Sequence, residues 1–201
     1  MYLGTGSVPA RPEAKQSGMI GYLASPRAAN AVPSGVVWAA DNGCFNADTF
    51  SVHQWIDWLD RQPRTAIWAT VPDAVSDHDE TLELWHTWAP VVTDLGFKPA
   101  FVIQNGCASL ASVPDNAAAV FVGGDTRYKL SETARTIVQH FDGPTHMGRV
   151  NSLKRLQLAA AWGIDTVDGT YLTFAPDKNL KRLLRFMQAT KQQPTLTGIQ
   201  Q

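Results

Sequence analysis

A chain of 201 residues with 44% apolar side chains, 17 Lys/Arg against 18 Asp/Glu and a net charge of −1 has the size and apolar content of one globular domain. No apolar run approaches the roughly 20 residues that cross a bilayer. Two cysteines supply neither a disulfide framework nor, alone, a four-ligand zinc site. The opening MYLGTGSVPARPEAK lacks the charged-then-apolar order of a secretory signal, so a cytoplasmic protein with no membrane partner is expected.

Eight short apolar strands are predicted, at residues 2–5, 19–23, 36–40, 66–71, 100–103, 120–122, 145–147 and 165–167. Apolar runs of this kind suit strands buried on both faces. Helical patterns separate most of them, at residues 52–59, 80–95, 130–141 and 180–187. The stretch THMGRVNSLKRLQLAAAWGIDTVDGT, residues 145–170, is a complete strand–helix–strand unit. Its helix is expected to open at Asn151 or Ser152, bury Leu153, Leu156 and Ala160, and stop at Gly163. The first two units are lean: residues 11–17 allow a turn or two, and residues 25–35, with Pro26 and Pro33, are mostly loop. The alternation predicts a small (β/α)8 TIM-like barrel with truncated early helices, residues 1–201 forming one catalytic domain and 192–201 a flexible tail. The alternative is an open doubly wound sheet of six strands.

Six consecutive predicted strands end in polar residues or glycines: Asp41-Asn42-Gly43, Asp73, Gln104-Asn105-Gly106, Gly123-Gly124-Asp125, Met147-Gly148-Arg149 and Asp168-Gly169. In parallel α/β folds the carboxyl ends of the strands carry the site. Asp168 alone reads more readily as an N-cap or turn aspartate than as a reactive one. Six such ends in register predict a pocket with three carboxylates, an amide and exposed backbone, its small walls suited to a flat ligand.

Exclusions narrow the chemistry. No lysine falls at a strand end, since Lys98 precedes the fifth strand and Lys129 and Lys154 lie on helices, which argues against a Schiff-base aldolase. The five histidines are scattered, so no metal is expected, although Asp41, Asp73, His146 and Asp168 have the chemistry to hold one hard cation. His146 otherwise reads as a hydrogen-bonded wall residue. Arg149 reads either as a contact to a phosphate or sugar hydroxyl, or as an ion pair with Asp125. The tryptophans read as packing. Residues 140–201 hold 8 Lys/Arg against 4 Asp/Glu, and Lys178, Lys181, Arg182, Arg185 and Lys191 either meet phosphates or form the solvated face of a last helix. Paired carboxylates without a metal point to glycosyl transfer, one acting as nucleophile and one handling the proton.

The ordered string from Val36 to Leu172 resembles the tRNA-guanine transglycosylase superfamily, including phage and bacterial relatives that place 7-deazaguanines in DNA. Asp41-Asn42-Gly43-Cys44-Phe45 is similar to that family's Asp-Ser-Gly-Gly-aromatic base segment, Gln104-Asn105-Gly106 to its Gln-Gly segment, Gly123-Gly124 to its Gly-Gly segment and Met147-Gly148 to its Met-Gly segment. GIDTVDG resembles the run that holds the nucleophile. The resemblance implies Asp168 as nucleophile, Asp41 as general base, Asp165 as a structural aspartate, and Asp73, Gln104, Gly123, Gly124, Met147, Gly148 and Arg149 as substrate-binding residues. The family's zinc site of three cysteines and a histidine has no counterpart, and the chain is about half the usual length, which shifts the expected polymer from tRNA toward DNA. The expected function is exchange of guanine in a nucleic acid for a 7-deazaguanine-type base, without cofactor, with a homodimer or accessory protein as a further expected partner. The alternatives are an N-glycosidase using water as acceptor and a non-catalytic purine- or nucleic-acid-binding module.

Overall fold

The structure, a computed structural model, describes residues 1–28, 31–45 and 50–192. Eight parallel strands close into a barrel in sequence order: β1 (Tyr2–Gly4), β2 (Ile20–Ala24), β3 (Trp38–Ala40), β4 (Ala69–Thr70), β5 (Pro99–Ile103), β6 (Ala119–Val122), β7 (Thr145–Met147) and β8 (Thr166–Asp168). The barrel shuts where β8 pairs with β1, with Tyr2 opposite Val167 and Leu3 opposite Asp168. This is the (β/α)8 architecture, and the open six-strand alternative is excluded. Strand bounds agree with the predicted ones to within about three residues, β4 being the shortest at two.

Seven α-helices lie among the described residues: α1 (Pro12–Ser17), α2 (Val52–Asp60), α3 (His78–Asp94), α4 (Thr126–Lys129), α5 (Glu132–His140), α6 (Leu153–Trp162) and α7 (Pro176–Gln192). The early units are lean as expected: α1 has six residues. The β2–β3 connection has only a 3-10 turn at Pro26–Ala28 among its described residues. The β5–β6 connection is equally lean, with a 3-10 turn at Leu110–Ser112. Residues 29–30, part of the predicted loop, and 193–201, nearly all of the predicted tail, lie outside the described residues.

Alternation along each strand sorts side chains into two layers. Leu3, Leu23, Ala39, Trp68, Ala100 and Ala119 fill the barrel interior. Tyr2, Ile20, Tyr22, Trp38, Phe101, Ile103, Val120, Val122, Met147 and Val167 face the helices and pack with Trp55, Trp85, Ala89, Ile137, Leu156, Trp162, Leu180 and Leu183. Interior side chains nearer the top are larger or polar: the His146 ring lies 4.8 Å from Trp68 and 4.5 Å from Phe121, closing the barrel beneath the strand ends. The tryptophans of the helices are packing residues. On α7, Leu180 and Leu183 are buried while Lys178, Lys181, Arg182 and Arg185 are exposed, so these cations form its solvated face.

The unit around the last two strands forms as expected except on the buried face of α6, which is Leu156, Ala159 and Trp162, with Leu153 half-buried and Ala160 exposed. Ser152 caps α6 by accepting from the Arg155 N–H, and Gly163 ends it at φ +81. Asn151, the other candidate cap, instead accepts from the Thr170 N–H at 2.7 Å, tying the loop after β7 to the loop after β8. Asp165 is structural: its Oδ2 accepts from the Thr145 N–H at 2.8 Å and the Thr145 hydroxyl at 3.0 Å.

Candidate active site

The carboxyl ends of the strands surround a cleft of about 190 Å³, lined by Asp41, Asn42, Cys44 and Phe45 after β3, Asp73 and Val75 after β4, Val102 and Gln104 on and after β5, Phe121, Gly123 and Gly124 on and after β6, Lys129 on α4, Gly148 and Arg149 after β7, and Asp168 on β8. Three acids separated by up to 127 positions in the chain thus share one mouth.

Asp41 follows β3, and its carboxyl is strongly perturbed. Burial, then the charge of Asp168, then that of Asp73, push it up to about 7 from an ordinary 3.8, against the backbone N–H groups of Gly43 and Asn42. A carboxyl so poised is protonated and ionised in comparable amounts at neutral pH, as proton transfer in both directions requires.

Asp73 is held by its neighbours. Its Oδ1 accepts from the Asn42 side-chain amide at 2.8 Å and the Cys44 thiol at 2.9 Å. Asn42 also donates to the Val71 carbonyl, while its Oδ1 accepts from the Cys44 N–H at 2.9 Å. Asn42 and Cys44 therefore clamp Asp73 from the β3 side. Burial raises Asp73, and these hydrogen bonds oppose the rise. The Cys44 thiol is itself pushed up by burial and then by Asp73, which makes it a donor and not a nucleophile.

Gln104 lines the cleft, but its amide is engaged by the protein. Its Nε2 donates to the Ala74 carbonyl and the Thr81 hydroxyl and lies 3.4 Å from Asp73 Oδ2, and its Oε1 accepts from the Ser76 N–H at 2.7 Å. It holds the loop after β4, and with it Asp73.

Asp168 ends β8 with 19% of its side chain exposed. Its Oδ1 accepts from the Arg149 backbone N–H at 2.6 Å, and its backbone carbonyl accepts from the Val150 N–H at 2.6 Å. The His146 Nε2 lies 3.7 Å from Oδ1. Burial foremost depresses this histidine below its ordinary range, so it faces Asp168 as a neutral ring, its Nδ1 bonded to the Thr166 hydroxyl at 2.9 Å.

Glycine is required where the backbone comes close. A Cβ at residue 148 would sit 2.6 Å from the Phe121 ring and 3.4 Å from Asp168 Oδ1. Gly124 has φ +74, and a Cβ there would sit 2.7 Å from Asn105 Oδ1, the oxygen that accepts from the Asp125 N–H. Asp125 itself caps α4 and accepts from Asn105 Nδ2 at 2.9 Å. It forms no ion pair with Arg149, whose guanidinium donates to the Gly124 carbonyl at 2.8 Å and lies 4.5 Å above the Phe45 ring. Phe45 is 61% exposed at the rim.

Of the nine site residues named from the sequence, eight line this cleft and one does not. Met147 is fully buried in the layer that faces the helices, because His146 and Gly148 on either side of it point inward. Lys129 lies on a helix and not at a strand end, as expected, and its side chain nevertheless reaches the cleft. Cys44, Phe45 and Phe121 also join the lining. Phe121 is legible as the inward residue of an alternating strand, whereas nothing in the local sequence around Lys129 marks it. Among the described residues no group of three His, Cys, Asp or Glu side chains is arranged to hold a metal ion. No helix among them is long and apolar enough to cross a membrane.

No family model matches the sequence, and no curated protein matches it. Among solved structures, a mutant methylaspartate ammonia lyase from Clostridium tetanomorphum is similar at 12% identity with a TM-score of 0.42, over 79% of this chain and 44% of that chain. At that level the likeness carries no argument about chemistry, and the functional reading rests on the site.

Proposed function

We propose that this protein is a transglycosylase that exchanges guanine in a nucleic acid, DNA in preference to tRNA, for a 7-deazaguanine-type base. The observation that carries the reading is the convergence of Asp41, Asp73 and Asp168 on one cleft, with Asp41 held at about 7 by burial and by the other two. Asp168 is the nucleophile: an Oδ forms a bond to C1′ of the nucleotide as the bond from C1′ to the purine nitrogen breaks. The electron pair of that bond goes to the departing purine, which takes the proton of Asp41. An incoming base then gives its N–H proton to the Asp41 carboxylate and attacks C1′, expelling Asp168. Two inversions give retention, and Asp41 ends as it began.

Asp73, fixed by Asn42, Cys44 and Gln104, offers a carboxylate to the purine edge, and Gly123, Gly124 and Gly148 let a flat ring lie against backbone. The exposed Arg149 guanidinium is placed for a phosphate or sugar oxygen. In duplex DNA the nucleotide leaves the stack first, at a cost of a few kcal/mol.

The test is uptake of radiolabelled guanine into DNA and into tRNA by the purified protein. Label in polymer is the expected result. Release of guanine without uptake would mean that water is the acceptor, and neither uptake nor release would remove the glycosyl reading.

A further inference from the structure

The chemistry above does not use the one lysine in the cleft. Lys129 is 4% exposed at the end of α4, and its ammonium donates to the Gly148 carbonyl at 2.9 Å. The peptide group that begins with this carbonyl ends with the Arg149 N–H, which donates to Asp168 Oδ1 at 2.6 Å. A single trans peptide therefore has an ammonium on its oxygen and a carboxylate on its hydrogen. Both bonds are charge-assisted, and each draws the peptide's electrons the same way, so each strengthens the other.

We infer that Lys129 is a positioning residue for Asp168, acting through the Gly148–Arg149 peptide to hold that carboxylate aimed into the cleft. The consequence for catalysis rests on the reading of Asp168 as nucleophile; the coupling of the two charges does not.

Two features separate this from incidental packing. Burying an ammonium is unfavourable, and a neutral donor would anchor the Gly148 carbonyl without that cost. Arg149 also sits at φ +59, a left-handed conformation that a residue with a side chain rarely adopts and that accompanies the aim of its N–H at Asp168. The charges around the pair are few. Asp168 is faced by the Arg149 N–H and the neutral His146 from β7 and its loop, by Asp41 after β3, by Tyr2 on β1 and by Lys129 on α4. Burial foremost, then the facing Arg149 and more weakly Arg155, lower Lys129 to about 8, while Asp168 raises it. It is therefore mostly charged at neutral pH.

Coupling is reciprocal, so it is readable from the lysine end without any activity. The protein labelled with ¹³C at lysine Cε is titrated by NMR, as wild type and as Asp168→Asn, which preserves shape. The Lys129 midpoint, about 8 in the wild type, is expected to fall in the variant by roughly half a pH unit or more. In parallel, Lys129→Met and Lys129→Gln are assayed for base exchange across pH. Both are expected to lose about tenfold or more in kcat with KM for the incoming base unchanged. Glutamine, which keeps a donor for the Gly148 carbonyl, is expected not to restore kcat. An unmoved midpoint in Asp168→Asn overturns the coupling whatever the activity, and an unchanged kcat in Lys129→Gln overturns the role of charge. A shifted midpoint in a protein that exchanges no base leaves the coupling standing and removes the proposed function instead.

Discussion

Asp168→Asn is expected to lower base exchange by about four orders of magnitude or more while leaving the barrel folded. The amide has the shape of the carboxylate, and its oxygen still accepts from the Arg149 N–H. The backbone bond from Val150 to the carbonyl of residue 168 does not involve the side chain, so β8 keeps its place. In the proposed mechanism, what is lost is the anionic oxygen that bonds to C1′. The thermal transition should move by no more than a few degrees, as for a substitution that removes no packing. Loss of exchange together with loss of fold would make Asp168 a structural residue. Retained exchange would rule out the covalent route.

Asp41→Asn is expected to stabilise the protein at alkaline pH and inactivate it at every pH. Asp41 has its carboxyl raised in the folded state from 3.8 to about 7, so between those values the folded chain binds more protons than the unfolded one. Stability from this group is therefore full below about pH 4, falls as pH rises, and is gone above about pH 7. The difference between the two limits is on the order of 4 kcal/mol. A neutral Asn removes that slope. The variant should melt roughly 10 °C above the wild type at pH 8, with the gap shrinking toward pH 4. Exchange should drop by about 10²–10⁴, the usual worth of a general acid–base group. A melting gap that does not change with pH would contradict the assignment of the raised carboxyl to Asp41.

The barrel was legible because its strands are short, apolar and regularly followed by polar residues or glycine, and because closure needs only that each strand find its neighbour in order. Three acids in one mouth follow from that geometry, since Asp41, Asp73 and Asp168 each end or follow a strand at the same rim. Met147 was misplaced because a strand-end motif names consecutive residues, while the pleat sends only alternate ones inward. Lys129 was not legible at all. Its reach depends on α4 being four residues long and starting directly after Gly124 and Asp125, which drops the end of that helix back over the cleft. The engagement of Gln104 by Ala74, Thr81 and Ser76 was likewise invisible, because it depends on how the loop after β4 folds under its own helix.

Covalent capture tests the central claim most directly. The wild-type protein is mixed with an end-labelled guanine-containing oligonucleotide, denatured before any incoming base is added, and separated under denaturing conditions. A labelled protein band that maps to the peptide containing Asp168, and that is missing from Asp168→Asn, is the predicted result. No labelled band, or a band that persists in Asp168→Asn, would contradict it.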